Sequence, residues 1–245
     1  MMENTYGEQI VQMKKNVSRN LINIRERIAE AAARSGRRPE EITILAATKT
    51  VPAEIINHAI SLGVDHIGEN RVQELLDKYD AVDLSHCQLH MIGHLQTNKV
   101  RQICDKVSMI QSVDSVRLAE EIEKQAARFN KTIPILVEVN IGREEAKSGV
   151  LPEELESLLR QITCNRHLQV NGLMAIPPIC QKKEQICGYF SQMRQLFIDI
   201  SQKKIDNVFM KVLSMGMSDD YYEAILEGAT MVRIGSALFG KRIYY

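Results

Sequence analysis

The chain has no excess of either charge: 31 lysines and arginines face 31 aspartates and glutamates across 245 residues. That balance argues against a broadly basic nucleic-acid face. No apolar run approaches the roughly 18 residues of a membrane span, and residues 42–47 are among its most apolar stretches. The N-terminus carries Glu3 and Glu8 before any lysine and no apolar segment, so it does not read as a secretory signal. There is no CxxC pair. Cys87, Cys104, Cys164, Cys180 and Cys187 are scattered and odd in number, which reads as free thiols in a reducing compartment. No GxGxxG follows the first apolar strand, which weakens a dinucleotide-binding fold.

What the chain does have is alternation. Hydrophobic content of 44% and charged content of 25% are ordinary for a globular protein. In residues 1–36, Ile10, Met13, Val17, Leu21, Ile24, Ile28 and Ala32 recur at helical steps, and Gly36 ends the pattern. Eight strand-like runs follow, at 42–48, 64–68, 89–93, 107–113, 133–140, 168–176, 210–215 and 230–235. Helical patterns lie between them: one opening at Pro52, then 116–130, 152–162, 184–201 and 219–228. Near-continuous apolar strands separated by helices predict a parallel sheet covered by helices. Eight such units in this length predict an α/β fold, a (β/α)8 TIM barrel over 42–240 with an extra N-terminal helix. An open doubly-wound sheet is the alternative. No low-complexity stretch or linker divides the chain, which reads as one domain over 1–245.

In such a barrel the chemistry gathers at the C-terminal ends of the strands. Lys49 follows the first strand directly, and a partly desolvated lysine there can form a Schiff base with a carbonyl. The other possibility is a lysine that leaves the barrel for solvent. Ser214, Gly216 and Ser218 follow strand 7, and Gly235 and Ser236 follow strand 8, the two loops that commonly build a barrel phosphate site. Ser218 could instead cap the helix beginning near Asp219. Asp219 and Asp220 would repel a phosphate, so their side chains should point away. Alternation puts Arg233 on the same side as Gly235, facing the mouth; the competing role is to balance a buried carboxylate such as Glu138.

A lysine after strand 1 with a Gly/Ser cradle after strands 7 and 8 resembles the pyridoxal 5'-phosphate (PLP) enzymes of the alanine-racemase barrel type. ATKT (47–50), GENRVQE (68–74), HMIGHLQTNK (90–99), NIGREEAKSG (140–149), GLMAIPP (172–178), SMGMSDDY (214–221) and VRIGSALFG (232–240) are similar to the signature blocks of the YggS/PROSC family, the PLP homeostasis proteins. The resemblance implies PLP as cofactor, with the Schiff-base lysine on Lys49. It implies phosphate contacts on Ser218, Gly235 and Ser236, in a loop shaped by Ser214 and Gly216. Arg233 would face the pyridine nitrogen, and Asn70 would lie near the ring. Met174 and His94 would line the mouth, a strand-end packing role being the alternative for His94. Lys99 and Lys147 would either contact the anionic cofactor during transfer or stand as solvated surface lysines.

A guanidinium does not readily give up a proton, so Arg233 would hydrogen-bond an unprotonated ring nitrogen and leave the ring a weak electron sink. Alanine racemases carry a second, β-rich domain that brings a catalytic tyrosine to the other PLP face. This sequence runs only to Tyr245, and Tyr221 and Tyr222 read as helix-packing residues. The expectation is therefore a non-catalytic or weakly catalytic PLP carrier, monomeric and cytoplasmic. It would act in vitamin B6 and amino-acid homeostasis, with apo PLP enzymes as its partners and without nucleic-acid or membrane binding. The alternative is a PLP-dependent amino-acid racemase, and a third class is a regulatory module that binds a partner protein.

Overall fold

The periodic N-terminal segment forms helix α1, Met2–Arg34, in a computed structural model that describes residues 2–240. Ile10, Val17, Leu21, Ile24 and Ile28 are buried along one side of α1. Its end is a Schellman turn: Gly36 sits at φ +69°, and the Arg37 N–H returns to the Ala32 carbonyl at 2.8 Å.

The eight apolar runs become eight strands: β1 Thr43–Ala47, β2 His66–Glu69, β3 Gln88–Met91, β4 Met109–Val113, β5 Ile133–Glu138, β6 Leu168–Met174, β7 Val208–Ser214 and β8 Met231–Ile234. They pair in parallel in chain order, and β8 closes on β1 with Leu45 opposite Arg233. The expected (β/α)8 barrel is the fold. The remaining helices are α2 Ala53–Ser61, α3 Val72–Lys78, α4 Val100–Ile103, α5 Val116–Arg128, α6 Leu155–Ile162, α7 Lys183–Gln202, α8 Tyr221–Leu226 and α9 Ser236–Phe239.

Boundaries differ from the sequence pattern where local hydrogen bonds intervene. Pro52 is the N-cap of α2 at ψ 143° rather than its first helical residue. The pattern at 152–162 starts as a 3-10 turn, Pro152–Glu154, before α6. The helix expected near Asp219 begins at Tyr221, because Asp220 turns its carboxylate onto the Met217 N–H at 2.6 Å. The four-residue helices α4 and α9 are too short to show a periodic signal.

Two layers of apolar packing hold the barrel. Inside, Leu45, Ile92 and Met231 form one cluster, and Met109, Leu136 and Met174 another. Outside, helix faces such as Leu118, Ala119, Ile122 and Ala126 of α5 cover the strands. Helix α1 lies across the seam where the barrel closes. Asn20 Nδ2 donates to the Leu238 carbonyl of α9 at 3.0 Å, and the Tyr222 hydroxyl of α8 donates to Glu30 at 2.7 Å. Tyr221 is buried, so both tyrosines have the packing role expected of them. Among the described residues no helix is long and apolar enough to cross a membrane.

One irregularity shapes the β6–β7 edge. Val170 pairs with Val208 but Gly172 with Val212, so β7 advances four residues while β6 advances two. Gly172 sits at φ +150°, and a Cβ there would lie 1.8 Å from the Val212 carbonyl oxygen. Gly172→Ala is expected to cost about 2–3 kcal/mol through backbone strain. Calorimetry should show a thermal midpoint lower by roughly 4–12 °C at this chain length.

Candidate functional site

Closure of β8 on β1 brings the two ends of the chain's chemistry to one rim. Leu45 and Ala47 face the barrel interior, and Lys49 follows in the turn just past β1, half-buried. Across the seam, an ideal Cβ on Gly235 would stand 3.5–3.6 Å from Ala47. The residues after β1 and β8 are thus neighbours.

The turn that carries Lys49 is clamped on both sides. Thr48 Oγ1 donates to Glu69 Oε1 at 2.7 Å, and Lys78 Nζ donates to the Thr48 carbonyl at 2.9 Å. The same ammonium lies 3.0 Å from Glu69 and 2.6 Å from Glu74. On the other side of Lys49, the Thr50 N–H donates to Glu74. Thr50 is at φ +63°, a left-handed conformation unusual for a β-branched residue, and the Glu74 bond helps to hold it there. Burial pushes the Glu69 carboxyl up despite Thr48 and Lys78. Burial also pushes at Glu74, but its bonds to Lys78 and Thr50 outweigh it and hold that carboxyl below its ordinary range.

On the β7–β8 side, Ser218 does not cap the helix that follows it. Its Oγ accepts the N–H groups of Gly235 and Ala237, each at 3.1 Å, so one hydroxyl joins the two loops. Gly216 is at φ +87°, and a Cβ there would approach Ala224 Cβ to 2.5 Å, so the turn requires glycine. Gly235 differs. Its backbone, at φ −111° and ψ −84°, lies off the main α and β regions, and an added Cβ would meet only ordinary contacts. Nothing in the protein's own packing demands glycine there; its missing side chain keeps space at the rim. Ser236 is exposed at the start of α9.

Arg233 is 4% exposed, with Nη1 donating to Ser214 Oγ at 2.7 Å and Nη2 to the Ala175 carbonyl at 2.9 Å. Ser214 is therefore turned into the barrel and held by the arginine rather than shaping the loop with its hydroxyl. Burial pushes the guanidinium down to about 10, against the pull of Glu138 and Asp220, so it is a cation at neutral pH. Glu138 acts on it through space; the hydrogen bonds of Arg233 go elsewhere. Asp220 does not point away from the site but is drawn inward, and burial pushes its carboxyl up against the Met217 N–H and Arg233.

Other expected residues are dispersed. Asn70 is half-buried on the rim, its carbonyl packed against Gly93, where a Cβ would come within 2.2 Å. Met174 does not line the mouth: it is fully buried below it, between Met109 and Leu136, because it completes the apolar filling of the barrel. His94 is exposed on the rim, with Nδ1 3.1 Å from Ser148 Oγ and 3.7 Å from Asp114. Lys147 is paired with Glu144 and bonded to the Pro177 carbonyl at 3.4 Å, with its side chain 35% exposed. Lys99 ends a 3-10 turn, Thr97–Lys99.

Sequence reasoning missed the Glu69–Lys78–Glu74 clamp. Its one signal is the Glu74/Lys78 spacing of four on a helix, which usually marks a solvated pair. It also left Glu138 as a mere counter-charge. Burial, aided by Asp114 and opposed by Arg233, pushes this carboxyl up to about 7.

Comparison with known proteins is consistent across the chain. The profile of the family described as alanine racemase, N-terminal domain, matches residues 20–242. A protein named pyridoxal phosphate homeostasis protein from Aquifex aeolicus is 44% identical over 229 residues, covering 94% of this chain and 100% of its own. The solved structure of PipY from Synechococcus elongatus PCC7942 with PLP bound is 32% identical, with TM-score 0.76, covering 87% of this chain and 100% of that one. Alanine racemase from Corynebacterium glutamicum shares the fold at 14% identity and TM-score 0.68, over 95% of this chain and 62% of its own.

Two outcomes test this geometry. Glu74→Ala should slow modification of Lys49 by an aromatic aldehyde about tenfold, as expected for losing a charged hydrogen bond. Adding Thr50→Gly should recover part of that rate, read by peptide mass after borohydride. For Glu138, the folded protein keeps a proton that the unfolded chain loses between its ordinary 4.5 and about 7. The folded state then binds more protons, so stability falls as pH rises through that window and levels above it. In thermal melts, the advantage of Glu138→Gln over the parent should grow from pH 5 to pH 7.5.

Proposed function

This chain belongs to the family of pyridoxal phosphate homeostasis proteins, and on that premise we propose that it holds PLP as a Schiff base on Lys49 and serves as a carrier rather than an enzyme. The observation that carries this reading is the single rim on which Lys49, Arg233 and the Ser218–Gly235 junction meet. PLP supplies an aldehyde that condenses reversibly with an amine. The residues fit such a group. Lys49 offers the amine, and the Gly235–Ser236 turn and the Ser218 hydroxyl offer donors beside the space that Gly235 leaves open. Arg233 keeps N–H groups beyond the two it spends on Ser214 and Ala175. Asn70 would border the ring. Met174 supports the floor from below.

Arg233 supports a carrier. It donates to a ring nitrogen and has no proton to yield at neutral pH, so the ring is left a weak electron sink. Racemization would also need an acid on the second face of the ring. The tyrosines nearest the loop, Tyr221 and Tyr222, are committed to α1 and the helix layer. We extend the reading to a one-domain, monomeric, cytoplasmic protein that passes PLP to apo enzymes. The free state of all five cysteines supports the reducing compartment.

Mixed with PLP, the protein should develop a Schiff-base absorbance band, and borohydride should fix one PLP on Lys49. Lys49→Ala should lose both signals. Incubation with a panel of L-amino acids should give no turnover. Turnover that vanishes in Lys49→Ala would replace the carrier by a racemase or related enzyme, and full-strength colour in that variant would remove Lys49 from the site.

A further inference from the structure

The interior of a (β/α)8 barrel is ordinarily filled by branched apolar side chains. Between the two apolar clusters of this barrel runs a file of polar ones. Arg233 Nη1 reaches Ser214 Oγ at 2.7 Å, Ser214 Oγ reaches Gln111 Oε1 at 2.7 Å, and Gln111 Nε2 reaches His90 Nδ1 at 2.8 Å. His90, Gln111 and Ser214 are wholly buried, on β3, β4 and β7. Burying this many polar groups is costly unless they are satisfied; the file satisfies its members with one another, and His90 Nε2 at its end is buried without a hydrogen-bond partner among the described residues.

Its direction is fixed from both ends. A guanidinium only donates, so Ser214 Oγ accepts from Arg233 and its own hydrogen goes to Gln111 Oε1. Gln111 Nε2 also lies 3.2 Å from Met231 Sδ, which can only accept, and this orients the amide the same way. His90 Nδ1 must then accept, so the imidazole is neutral with its proton on Nε2. The ring meets His66 edge-on at 5.4 Å, and burial, with His66 beside it, pushes the imidazolium down to about 3. Every donor points away from Arg233, and reversing the file would take both a flip of the Gln111 amide away from Met231 and the other neutral tautomer of His90.

We propose that His90 and Gln111 are positioning residues for Arg233: they end a one-way chain of acceptors that locks the guanidinium, so that its remaining N–H groups meet the ring nitrogen of bound PLP in one orientation. This rests on the PLP reading above. Each of the two residues lies on a different strand from the arginine it serves.

The test is the ring-nitrogen resonance of 15N-labelled PLP on the protein, with release measured by dialysis. His90→Leu and Gln111→Met should still trap PLP on Lys49 with borohydride. They should displace the resonance and release PLP about tenfold faster, the size expected when a charge-assisted hydrogen bond is weakened. His90→Asn offers a side-chain oxygen in place of Nδ1 and should restore the resonance and the slow release. A merely structural role would lower the thermal midpoint and leave the resonance unmoved. Loaded His90→Leu with an unmoved resonance and unchanged release overturns the proposal, even if Gln111→Met fails to fold. A wild type that traps no PLP on Lys49 overturns the PLP reading itself, a result separate from either outcome for the file.

Discussion

The pairing of the last strand with the first is the interaction on which the rest of this molecule depends. Thr43 through Ala46 lie alongside Met231 through Ile234, and this contact alone joins the loop carrying Lys49 to the loop carrying Gly235 and Ser236. Residues nearly two hundred positions apart in sequence become neighbours through main-chain hydrogen bonds that are indifferent to side-chain identity. Helix α1 braces the same seam from outside through Asn20 and Glu30. An opened seam would leave every side chain at the rim intact and the rim itself gone.

Much of this was legible in the sequence, for a physical reason. A strand buried on both faces must be apolar throughout, so the eight runs stand out against charged helices. Lys49 and Arg233 stand out in turn as charges at the ends of those runs. What stayed hidden is polarity whose partner is remote. Ser218 looks like a cap for the helix after it, because the chain cannot show that Gly235 and Ala237 fold back to it. Glu74 and Lys78 look like the wet side of a short helix, and Glu69 like a strand end, until the turn at Thr48–Thr50 packs on them. His90 and Gln111 read as isolated polar residues in apolar strands, and only the barrel reveals that they face each other. Met174 was misplaced because strand ends were read as mouth, whereas the depth of a residue depends on barrel tilt and stagger.

A chain with no net charge nonetheless maintains a divided field at its rim. Arg233 is a buried cation with Glu138 and Asp220 acting on it, and Lys78 is an ammonium between two carboxylates. Each group sets one cation against two carboxylates, and burial pushes Glu69, Glu138 and Asp220 up toward their neutral forms. Because most of these side chains are buried, their interactions are screened by salt less than those of surface pairs.

The Ser218 hydroxyl ties the loop after β7 to the first turn after β8 using only protein atoms. Those two segments therefore hold their relative places whether or not an anion lies between them. In the carrier role proposed above, the shape of the vacated cradle would be the shape needed for the next load. Neither step has to order or melt a loop, so the exchange rate is left to the chemistry of the lysine. A hydroxyl spent on its own backbone thus makes reversibility a property of the scaffold.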